Sequence, residues 1–367
     1  MKKRNMKKRN VAIFFGGCSS EYGVSLSSAS AVIANLDREK YEPVLIGITS
    51  AGVWYHYTGP VERLADDSWS LSGCCVPAVL SPNRGERLLL LLKPEGVASV
   101  PIDIALPILH GRNGEDGTLQ GLLELAGIPL AGCGTLASAL CMDKDRAHKL
   151  ASLSGVRVPK SLVLKRPKLS GIDASEQKRL SGADIPAEAE AFAQSTGYPL
   201  FVKPVKAGSS YGVTKVTAPG QLSPAISLAY EYDDQVILEE NIEGFEVGCA
   251  ILGTDELLVG EVDEIELSGG FFDFTEKYTL KTSAIHVPAR IAPAKAEEIK
   301  TAAKTVYKAL GCSGFARVDL FLTPEGEIVF NEVNTIPGFT EHSRYPGMMK
   351  AAGYTFRDIL NRILEQI

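Results

Sequence analysis

The sequence predicts a mixed fold, in which an α/β region is followed by a largely antiparallel α+β region. Three observations lead to this fold class. Strand and helix patterns alternate up to about residue 143. Beyond that point strand patterns follow one another with few helices between them. The length of 367 residues is typical of two or three domains.

The first region is predicted to be a parallel, Rossmann-like sheet covered by helices. Buried strand patterns occur at residues 11–15, 41–49 and 103–111, and helical spacing of apolar residues occurs at 25–36 and 117–127. Such alternation is typical of βαβ units. We assign residues 11–143 to this domain. Residues 1–10, with the tandem MKKRN, are expected to be a disordered tail.

The second region consists mainly of strands. Strand patterns occur at residues 197–205, 212–217, 235–242, 246–253, 256–265 and 283–291. A helix pattern at 295–311, two further strands and an amphipathic segment at 356–367 complete the chain. We predict a largely antiparallel α+β region from residue 144 onwards, with a polar surface insertion at 166–185.

The composition excludes several classes of protein. The net charge of −6 is unlike that of a nucleic-acid-binding surface. The longest apolar run, "RLLLLLK" at 87–93, is too short to span a bilayer, and no signal peptide is evident. Seven scattered cysteines without a CxxC pair indicate reduced thiols and a cytoplasmic protein rather than a zinc or redox site.

Two carboxylates are predicted to face each other near the end of the chain. "TPEGE" is a turn signal between the strands of "FARVDLFL" and "IVFNEVN". If Thr323 pairs with Ile328 across a four-residue loop, Asp319 faces Glu332 and Arg317 faces Asn334, all on one side. The opposite side is expected to pack on a helix through Val318, Leu320, Leu322, Val329 and Val333.

This polar face favours a magnesium site beside a phosphate. Two facing carboxylates repel each other unless a cation lies between them. Mg²⁺ prefers oxygen ligands and usually takes one or two carboxylates together with substrate phosphates. The permanently charged guanidinium of Arg317 suits a phosphate or an oxyanion. The alternative is a network of surface ion pairs.

The remaining motifs do not by themselves decide where a nucleotide would bind. No P-loop occurs, and "GCGTLA" at 132–137 is a weak match to a dinucleotide-binding pattern. "GSSYG" at 208–212 fits the nucleophile-elbow pattern of serine hydrolases, but the β-branched residues after it favour a strand. A strand, a Gly/Ser loop and a second strand, with Lys203 on the leading strand, instead suit phosphate binding. Lys144 is either a second phosphate ligand or solvated.

The motifs together resemble the D-alanine–D-alanine ligase family of the ATP-grasp fold. The segments that carry the resemblance are, in order, "GGCSSEYGVS", "HGRNGEDGTLQG", "CMDK", "VKPVKAGSSYGV", "EKY", "ARVD" and "NEVNTIPGFTEHS". They cover essentially the whole chain from residue 11 onwards. The resemblance implies that two α+β subdomains, a central one at residues 144–240 and a C-terminal one with the metal site at residues 241–367, clasp ATP. It also implies that ATP phosphorylates D-alanine and that a second D-amino acid attacks the acyl phosphate.

The resemblance assigns roles to individual residues. Glu21 would bind the ammonium group of the first substrate and form a hydrogen-bonded trio with Ser209 and Tyr278. The ATP contacts would be Lys144, Lys203, Ser210, Glu239, Glu240, Ile242, Glu246 and Lys277. The ligands of two Mg²⁺ ions, which Mn²⁺ can replace, would be Asp319, Glu332 and Asn334. Arg317 and the Gly338 amide would form an oxyanion hole.

The resemblance also bears on both amino-acid substrates. His110 matches a position near the first substrate, although a packed loop histidine is the alternative. Ser343 would bind the carboxylate of the second substrate. The pair Lys277 and Tyr278 implies an amine acceptor rather than D-lactate.

Arg344, with Phe272, resembles the vancomycin-resistance D-alanine–D-serine ligases of the G type. A buried donor would favour the hydroxyl of D-serine. Alternatively, Arg344 only pairs with an acid on a nearby loop. Gly23 and Glu341 depart from the pattern, and the charge of Glu341 bears on the acceptor.

The sequence therefore supports a D-alanine–D-serine ligase, with a D-alanine–D-alanine ligase as the alternative. A serine hydrolase using Ser210 and a non-catalytic nucleotide-binding module are the other hypotheses. We expect small-molecule substrates, no nucleic acid or membrane partner, and a homodimer.

Overall fold

The protein is described by a computed structural model over residues 7–166, 186–267 and 283–367. The strands are β1 (Arg9–Gly16), β2 (Tyr41–Ile48), β3 (Trp54–Tyr57), β4 (Cys75–Leu80), β5 (Leu88–Lys93), β6 (Gly96–Pro101), β7 (Ile104–Pro107), β8 (Ser161–Lys165), β9 (Leu200–Pro204), β10 (Thr214–Val216), β11 (Gln235–Glu240), β12 (Phe245–Leu252), β13 (Leu258–Val259), β14 (Asp263–Leu267), β15 (Ser283–His286), β16 (Phe315–Leu322) and β17 (Ile328–Asn334). The helices are α1 (Tyr22–Asn35), α2 (Glu62–Ala65), α3 (Thr118–Ala126), α4 (Thr135–Met142), α5 (Lys144–Leu153), α6 (Ala187–Thr196), α7 (Leu222–Ala229), α8 (Pro293–Ala309), α9 (Arg344–Ala351) and α10 (Phe356–Glu365). Within the described ranges, no helix is both long and apolar enough to cross a membrane.

The first sheet has a parallel centre and a long antiparallel extension. Its strand order is β6-β5-β4-β3-β2-β1-β7. β1 is parallel to both β2 and β7, which confirms the predicted parallel arrangement. The pairs from β2 to β6 are antiparallel. The sequence did not indicate these four added strands, although "RLLLLLK" contains β5, so the sheet is mixed rather than wholly parallel.

Both faces of this sheet are covered. Successive side chains of β1 point to opposite faces of the sheet, and they are apolar on both, so each face has to be buried. Ile13 packs in a cluster with α1 and α10, whereas Phe14 packs in another with α3. β1 ends at Gly16, where a Cβ atom would lie 2.1 Å from the carbonyl oxygen of Ile48 and φ is +86°. Only glycine fits this close approach, which turns the chain towards Glu21.

The second sheet is antiparallel, in the order β10-β9-β11-β8. Its own core joins residues of β9 and β11 to Leu222 and Ile226 of α7 and Ala189 and Ala193 of α6. The sequence analysis identified neither helix. β10 follows the "GSSYG" loop, so the predicted strand is confirmed. The helix that a nucleophile elbow requires is therefore absent from the described segment after Ser210.

The third sheet carries the predicted hairpin, in the order β15-β14-β12-β16-β17, with β13 beside β12. Asp319 pairs with Glu332 and Arg317 with Asn334, as predicted. The turn differs, because Ile328 pairs with Leu322 rather than Thr323. Asn331 is an extra residue that forms a bulge and restores the register. Because of the bulge, Phe330 rather than Val329 joins the helix-covered face.

Two shorter predictions near the first sheet also change. The "GCGTLA" glycines are explained by packing, since a Cβ on Gly314 would lie 2.7 Å from the Cα of Gly132. The helical segment after it is two helices, α4 and α5. They are separated at Asp143, whose side chain accepts a hydrogen bond from the Arg146 amide at 3.0 Å.

Candidate active site

The hairpin of β16 and β17 carries the acidic pair on one face, and Glu332 of this pair lines a cavity. Cross-strand partners lie on the same side of a sheet, so Asp319 and Glu332 share one face. Asp319 is 1% exposed and accepts hydrogen bonds from Arg317 Nε at 2.8 Å and Asn334 Nδ2 at 2.8 Å. Glu332 is more exposed, and its Oε2 lies 3.9 Å from Lys144 Nζ.

The chemistry of this face fits a divalent cation. Asp319, Glu332 and Asn334 supply hard oxygen donors on one side of the hairpin, as Mg²⁺ requires. No cluster of three His, Cys, Asp or Glu side chains suited to a metal occurs in the described part of the chain. The predicted set contains only two carboxylates, so the remaining ligands have to come from an amide and from substrate phosphates.

A cavity of about 650 Å³ lies between the second and third sheets, next to the hairpin. Its lining includes the predicted ATP residues Lys144, Lys203, Ser210, Glu239, Glu240, Ile242 and Glu246. It also includes Glu332 and the bulge residue Asn331. The cavity is within the size range of small-molecule and cofactor sites.

Two lysines that are predicted to contact ATP phosphates line this cavity and bond to protein oxygens. Lys203 Nζ lies 2.5 Å from Glu239 Oε2, and Glu239 is 2% exposed. Burial alone would raise the pKa of Glu239, but Lys203 and then His148 lower it below its usual value. Lys144 Nζ donates to the Ala207 carbonyl oxygen at 2.7 Å, at the start of the Gly/Ser loop. Both ammonium groups are therefore positioned by protein oxygens.

His148 is a buried residue that the sequence analysis missed, and it lies next to Asn331 and Glu239, which line the cavity. Its Nε2 donates to the carbonyl oxygen of Asn331 at 2.8 Å, and its Nδ1 lies 3.7 Å from Glu239 Oε1. It thus connects the hairpin bulge to the Lys203–Glu239 pair. Asn331 reaches this position because of the bulge. No pattern in the sequence predicts the bulge, so the contact with His148 could not be predicted either.

Glu21 lies at the opposite edge of the site, after β1. It is 7% exposed and accepts a hydrogen bond from the Ser209 hydroxyl. Two glycines allow this approach. A Cβ on Gly111 would lie 2.3 Å from Glu21 Oε2, and one on Gly208 would lie 3.0 Å from it. The predicted third partner, Tyr278, lies outside the described residues, as do Lys277 and Phe272.

His110 is buried and bonded to protein at both ring nitrogens. Its Nδ1 contacts the Ile336 carbonyl oxygen at 2.9 Å, and its Nε2 contacts Ser28 Oγ at 3.1 Å. Burial lowers its pKa to about 4, and Arg317 contributes in the same direction. The packed-histidine alternative therefore matches its contacts, while the role near the first substrate stays a prediction.

Glu115 was missed, although the motif "HGRNGEDGTLQG" contains it. Its two oxygens accept hydrogen bonds from the Gly111 amide at 2.7 Å and the Ile336 amide at 3.1 Å. Burial raises its pKa, and the Glu21 carboxylate raises it further. The signal available in the sequence was an acidic residue inside a motif that had already been singled out for the resemblance.

The residues predicted to bind the acceptor lie around the start of α9. Ser343 precedes this helix, and its Oγ accepts a hydrogen bond from the Thr340 amide at 3.0 Å. A Cβ on Gly338 would lie 3.1 Å from Ser343 Oγ, so the two residues are adjacent. Gly338 and Ser343, predicted to act on neighbouring parts of the reaction, are thus brought together.

Arg344 is buried among three carboxylates. Its Nε and Nη2 donate to the two oxygens of Asp263 at 2.7 and 2.9 Å, and its Nη1 donates to Glu246 Oε1 at 2.6 Å. Its Nη2 also lies 3.4 Å from Asp319 Oδ1. Arg344 therefore pairs with acids, as the alternative expected, and its role in the choice of acceptor stays a prediction. Its partners lie on β12, β14 and β16 rather than on a nearby loop.

The comparison with known families matches almost the whole chain. Residues 10–133 match the family described as the D-ala D-ala ligase N-terminus, and residues 168–365 match that described as the D-ala D-ala ligase C-terminus. The chain belongs to the D-alanine–D-alanine ligase family. It is accordingly a ligase of cell-wall precursor synthesis, from a family that uses ATP and a divalent metal.

Individual members of the D-alanine–D-alanine ligase family differ in the acceptor that their names give. The structure of the VanG D-Ala:D-Ser ligase from Enterococcus faecalis is similar, with a TM-score of 0.86 and 53% identity, covering 98% of this chain and 99% of that one. The VanB vancomycin B-type resistance protein of Enterococcus faecalis is 43% identical over 98% of both chains. A D-alanine–D-alanine ligase of Caldicellulosiruptor bescii is 41% identical over 98% of this chain and 95% of its own.

These similarities confirm the fold class. Solved ligases of this family match 98% of this chain with TM-scores of 0.86 and 0.82, so they share its mixed helix-and-sheet architecture, the ATP-grasp fold. The second and third sheets are the two parts between which ATP is expected to bind. The domain limits at residues 143 and 240, and the roles of individual site residues, stay predictions. The tail predicted at residues 1–10 was drawn too long, because Arg9 and Asn10 are the first two residues of β1.

Proposed function

We propose that this ligase uses ATP to join D-alanine to D-serine. The observation that supports the acceptor is the buried Arg344 next to the Gly338–Ser343 segment, in a chain 53% identical to the VanG D-Ala:D-Ser ligase. The dipeptide would enter peptidoglycan precursors that bind vancomycin weakly. The expected setting is cytoplasmic, and the expected assembly is a homodimer.

Activation of D-alanine would occur between Glu21 and the hairpin. The Glu21 carboxylate binds the ammonium group, so that the substrate carboxylate points towards Arg317. A carboxylate oxygen then attacks the γ-phosphorus of ATP, the bond to the bridging oxygen breaks, and ADP leaves with that electron pair. Lys144 and Lys203, both held by protein oxygens, neutralise phosphate charge as it shifts.

Asp319, Glu332 and Asn334 would hold the divalent cations, for which we propose two Mg²⁺ ions, with Mn²⁺ as a substitute. Bound there, the ions neutralise the phosphate oxygens of ATP. Arg317 and the Gly338 amide would stabilise the oxyanion that forms when the acceptor amine attacks the carbonyl carbon of the acyl phosphate. The C–O bond to the phosphate would then break, and inorganic phosphate would leave with that electron pair and with the proton that the amine loses. One such donor is typically worth ~3 kcal/mol of transition-state stabilisation.

Recognition of D-serine would use the outer edge of the Arg344 guanidinium. Asp263 fixes the guanidinium through Nε and Nη2, and Glu246 takes one N–H of Nη1. Among the described residues, the second N–H of Nη1 is left to reach a hydroxyl. D-alanine would leave this buried donor without a partner, which is costly.

The test is phosphate release from ATP with D-alanine alone and then with D-serine added, followed by identification of the dipeptide. We expect mainly D-alanyl-D-serine. Equal use of the two acceptors would contradict the serine assignment and leave the ligase assignment intact. ATP-independent ester cleavage that is lost in Ser210→Ala would instead support the hydrolase hypothesis.

A further inference from the structure

The segment that carries Gly338 is fixed on both sides by residues of the first sheet region. This segment, Thr335–Phe339, follows β17 directly. Three of its backbone groups bond to buried side chains: the Ile336 amide to Glu115, the Ile336 carbonyl to His110, and the Phe339 amide to Ser28. Gly338 lies between these two attachment points.

The donor and the acceptor of each of these hydrogen bonds can be assigned in one consistent way. A carbonyl oxygen only accepts, so His110 Nδ1 carries the proton and donates to Ile336 at 2.9 Å. The buried ring is neutral because its pKa is lowered to about 4, so Nε2 accepts from the Ser28 hydroxyl at 3.1 Å. The same Ser28 oxygen accepts from the Phe339 amide at 3.2 Å. The result is a closed ring of bonds from Phe339 through Ser28 and His110 to Ile336.

Burial makes this ring a rigid support. Ser28 is 0% exposed, His110 4% and Phe339 1%. Water therefore cannot replace a lost bond easily, and a missing partner would leave a buried backbone group unsatisfied. The Phe339 side chain is also enclosed by the rings of Phe315, Tyr345 and Phe356.

We propose that Ser28, His110 and Glu115 are positioning residues that orient the Gly338 amide towards the reacting carbonyl. This inference rests on the proposed ligase function, in which that amide stabilises the oxyanion. Ser28 acts through the backbone and does not contact a substrate. Oxyanion donors have to be in place before the reaction, because a displacement of about 1 Å can cost on the order of 100-fold in rate.

The chain offers a matched pair of variants on α1. Ser28→Ala removes the hydroxyl at the centre of the ring and keeps the backbone. Ser30→Ala removes a hydroxyl of the same helix whose buried oxygen has no hydrogen-bond partner among the described residues. The measurements are kcat, the KM values for ATP and D-alanine, and hydrogen–deuterium exchange of the peptide covering residues 331–343.

We expect Ser28→Ala to lower kcat by roughly 10- to 100-fold. The KM for ATP should stay within about twofold, because the nucleotide cavity is lined by other residues. Exchange at residues 336–339 should become faster than in wild type. Ser30→Ala should match wild type in all three measurements.

Equal kcat in the two variants would overturn the inference, and so would equal exchange. A general folding defect would raise exchange throughout the first sheet as well, and that pattern also counts against it. If wild-type protein formed no dipeptide, the proposed function would fail, whereas the exchange comparison would still report on the ring itself.

Discussion

Arg344 illustrates how strongly single residues are coupled in this site. Its guanidinium contacts Asp263, which is 0% exposed, and Asp319, which is 1% exposed, while Arg317 contacts Asp319 from the other side. Two buried carboxylates thus share the charge of two arginines. Removing one partner of such a network leaves an uncompensated buried charge. The resulting loss of folding free energy is larger than the net stabilisation that the intact network provides.

Arg344→Leu should therefore have two effects. We expect the product to shift from D-alanyl-D-serine towards D-alanyl-D-alanine, because the donor for the hydroxyl is lost. We also expect the free energy of unfolding to fall by roughly 3–5 kcal/mol, because Asp263 loses its partner. Urea denaturation measures the second effect, and the double variant with Asp263→Asn should recover part of it. An unchanged dipeptide ratio in folded protein would refute the role of Arg344 in acceptor choice.

Glu332→Gln tests the cation site at the level of one oxygen ligand. The amide is neutral and binds Mg²⁺ more weakly, so dipeptide formation should be lost at ordinary magnesium and partly return as magnesium rises. Glu325→Gln, at the exposed turn of the same hairpin, is the matched control and should keep wild-type activity. Steady-state assays over a magnesium series distinguish the two. Normal turnover of Glu332→Gln without extra magnesium would contradict the proposed site.

His110 should make the protein sensitive to acid. Its pKa is lowered from 6.5 to about 4 by burial, so between these values the unfolded chain binds a proton that the folded protein does not. The contribution of His110 to the free energy of unfolding should therefore decrease by about 3 kcal/mol as the pH falls from 6.5 to 4. His110→Gln should show a smaller decrease. Urea midpoints at several pH values provide the measurement, and parallel curves for both proteins would exclude this contribution.

At the scale of elements, the hairpin shows what a sequence pattern can and cannot predict. Alternation of polar and apolar residues correctly predicted that Asp319 pairs with Glu332. The predicted turn was one residue too long, since Thr323 bonds to Glu327 across Pro324, Glu325 and Gly326. Asn331 compensates as a bulge. "TPEGE" suits either loop length, and tertiary contacts such as the one from His148 favour the bulge.

The missed elements have a similar cause. β3 to β6 are only four to six residues long, and each pairs with the next. They extend a sheet whose parallel centre the alternation of strand and helix patterns had already predicted. α7 contains Pro224 and two serines, which obscure its helical spacing, but Leu222 and Ile226 still face a common core. Long buried segments were predictable, whereas short ones depend on neighbours distant in sequence.

The last helix should depend on its N-terminal cap. Thr355 Oγ1 accepts from the Asp358 amide at 3.2 Å, and Asp358 Oδ2 accepts from the Thr355 amide at 3.0 Å. Thr355→Ala should lower the free energy of unfolding by about 1 kcal/mol, whereas Thr355→Ser should be close to wild type. Denaturant titration measures both. Equal losses in the two variants would show that the methyl group, rather than the hydroxyl, matters.

At the scale of the whole molecule, the two ends of the chain share one core. The cluster that covers one face of β1 contains Val32 and Ile33 of α1 together with Ile359, Leu360 and Ile363 of α10. The core of the second sheet is separate, and its buried members lie between Leu164 and Leu238. The sequence motifs revealed the family, but the return of α10 to the first sheet follows only from packing.

This arrangement predicts that local stability follows the cores rather than the order of the chain. Leu360→Ala and Ile226→Ala each remove a comparable buried side chain and should cost roughly 2–5 kcal/mol. Leu360→Ala should speed native-state hydrogen exchange in β1 and β2, more than 300 residues away in sequence. Ile226→Ala should speed it in β9 and β11 and leave β1 unchanged. If both variants raised exchange uniformly, the molecule would open as a single unit, and the separation of its cores would have no energetic consequence. ATP with magnesium binds between the second and third sheets in the proposed function, so it should slow exchange in β9 and β11 in wild type and Leu360→Ala alike.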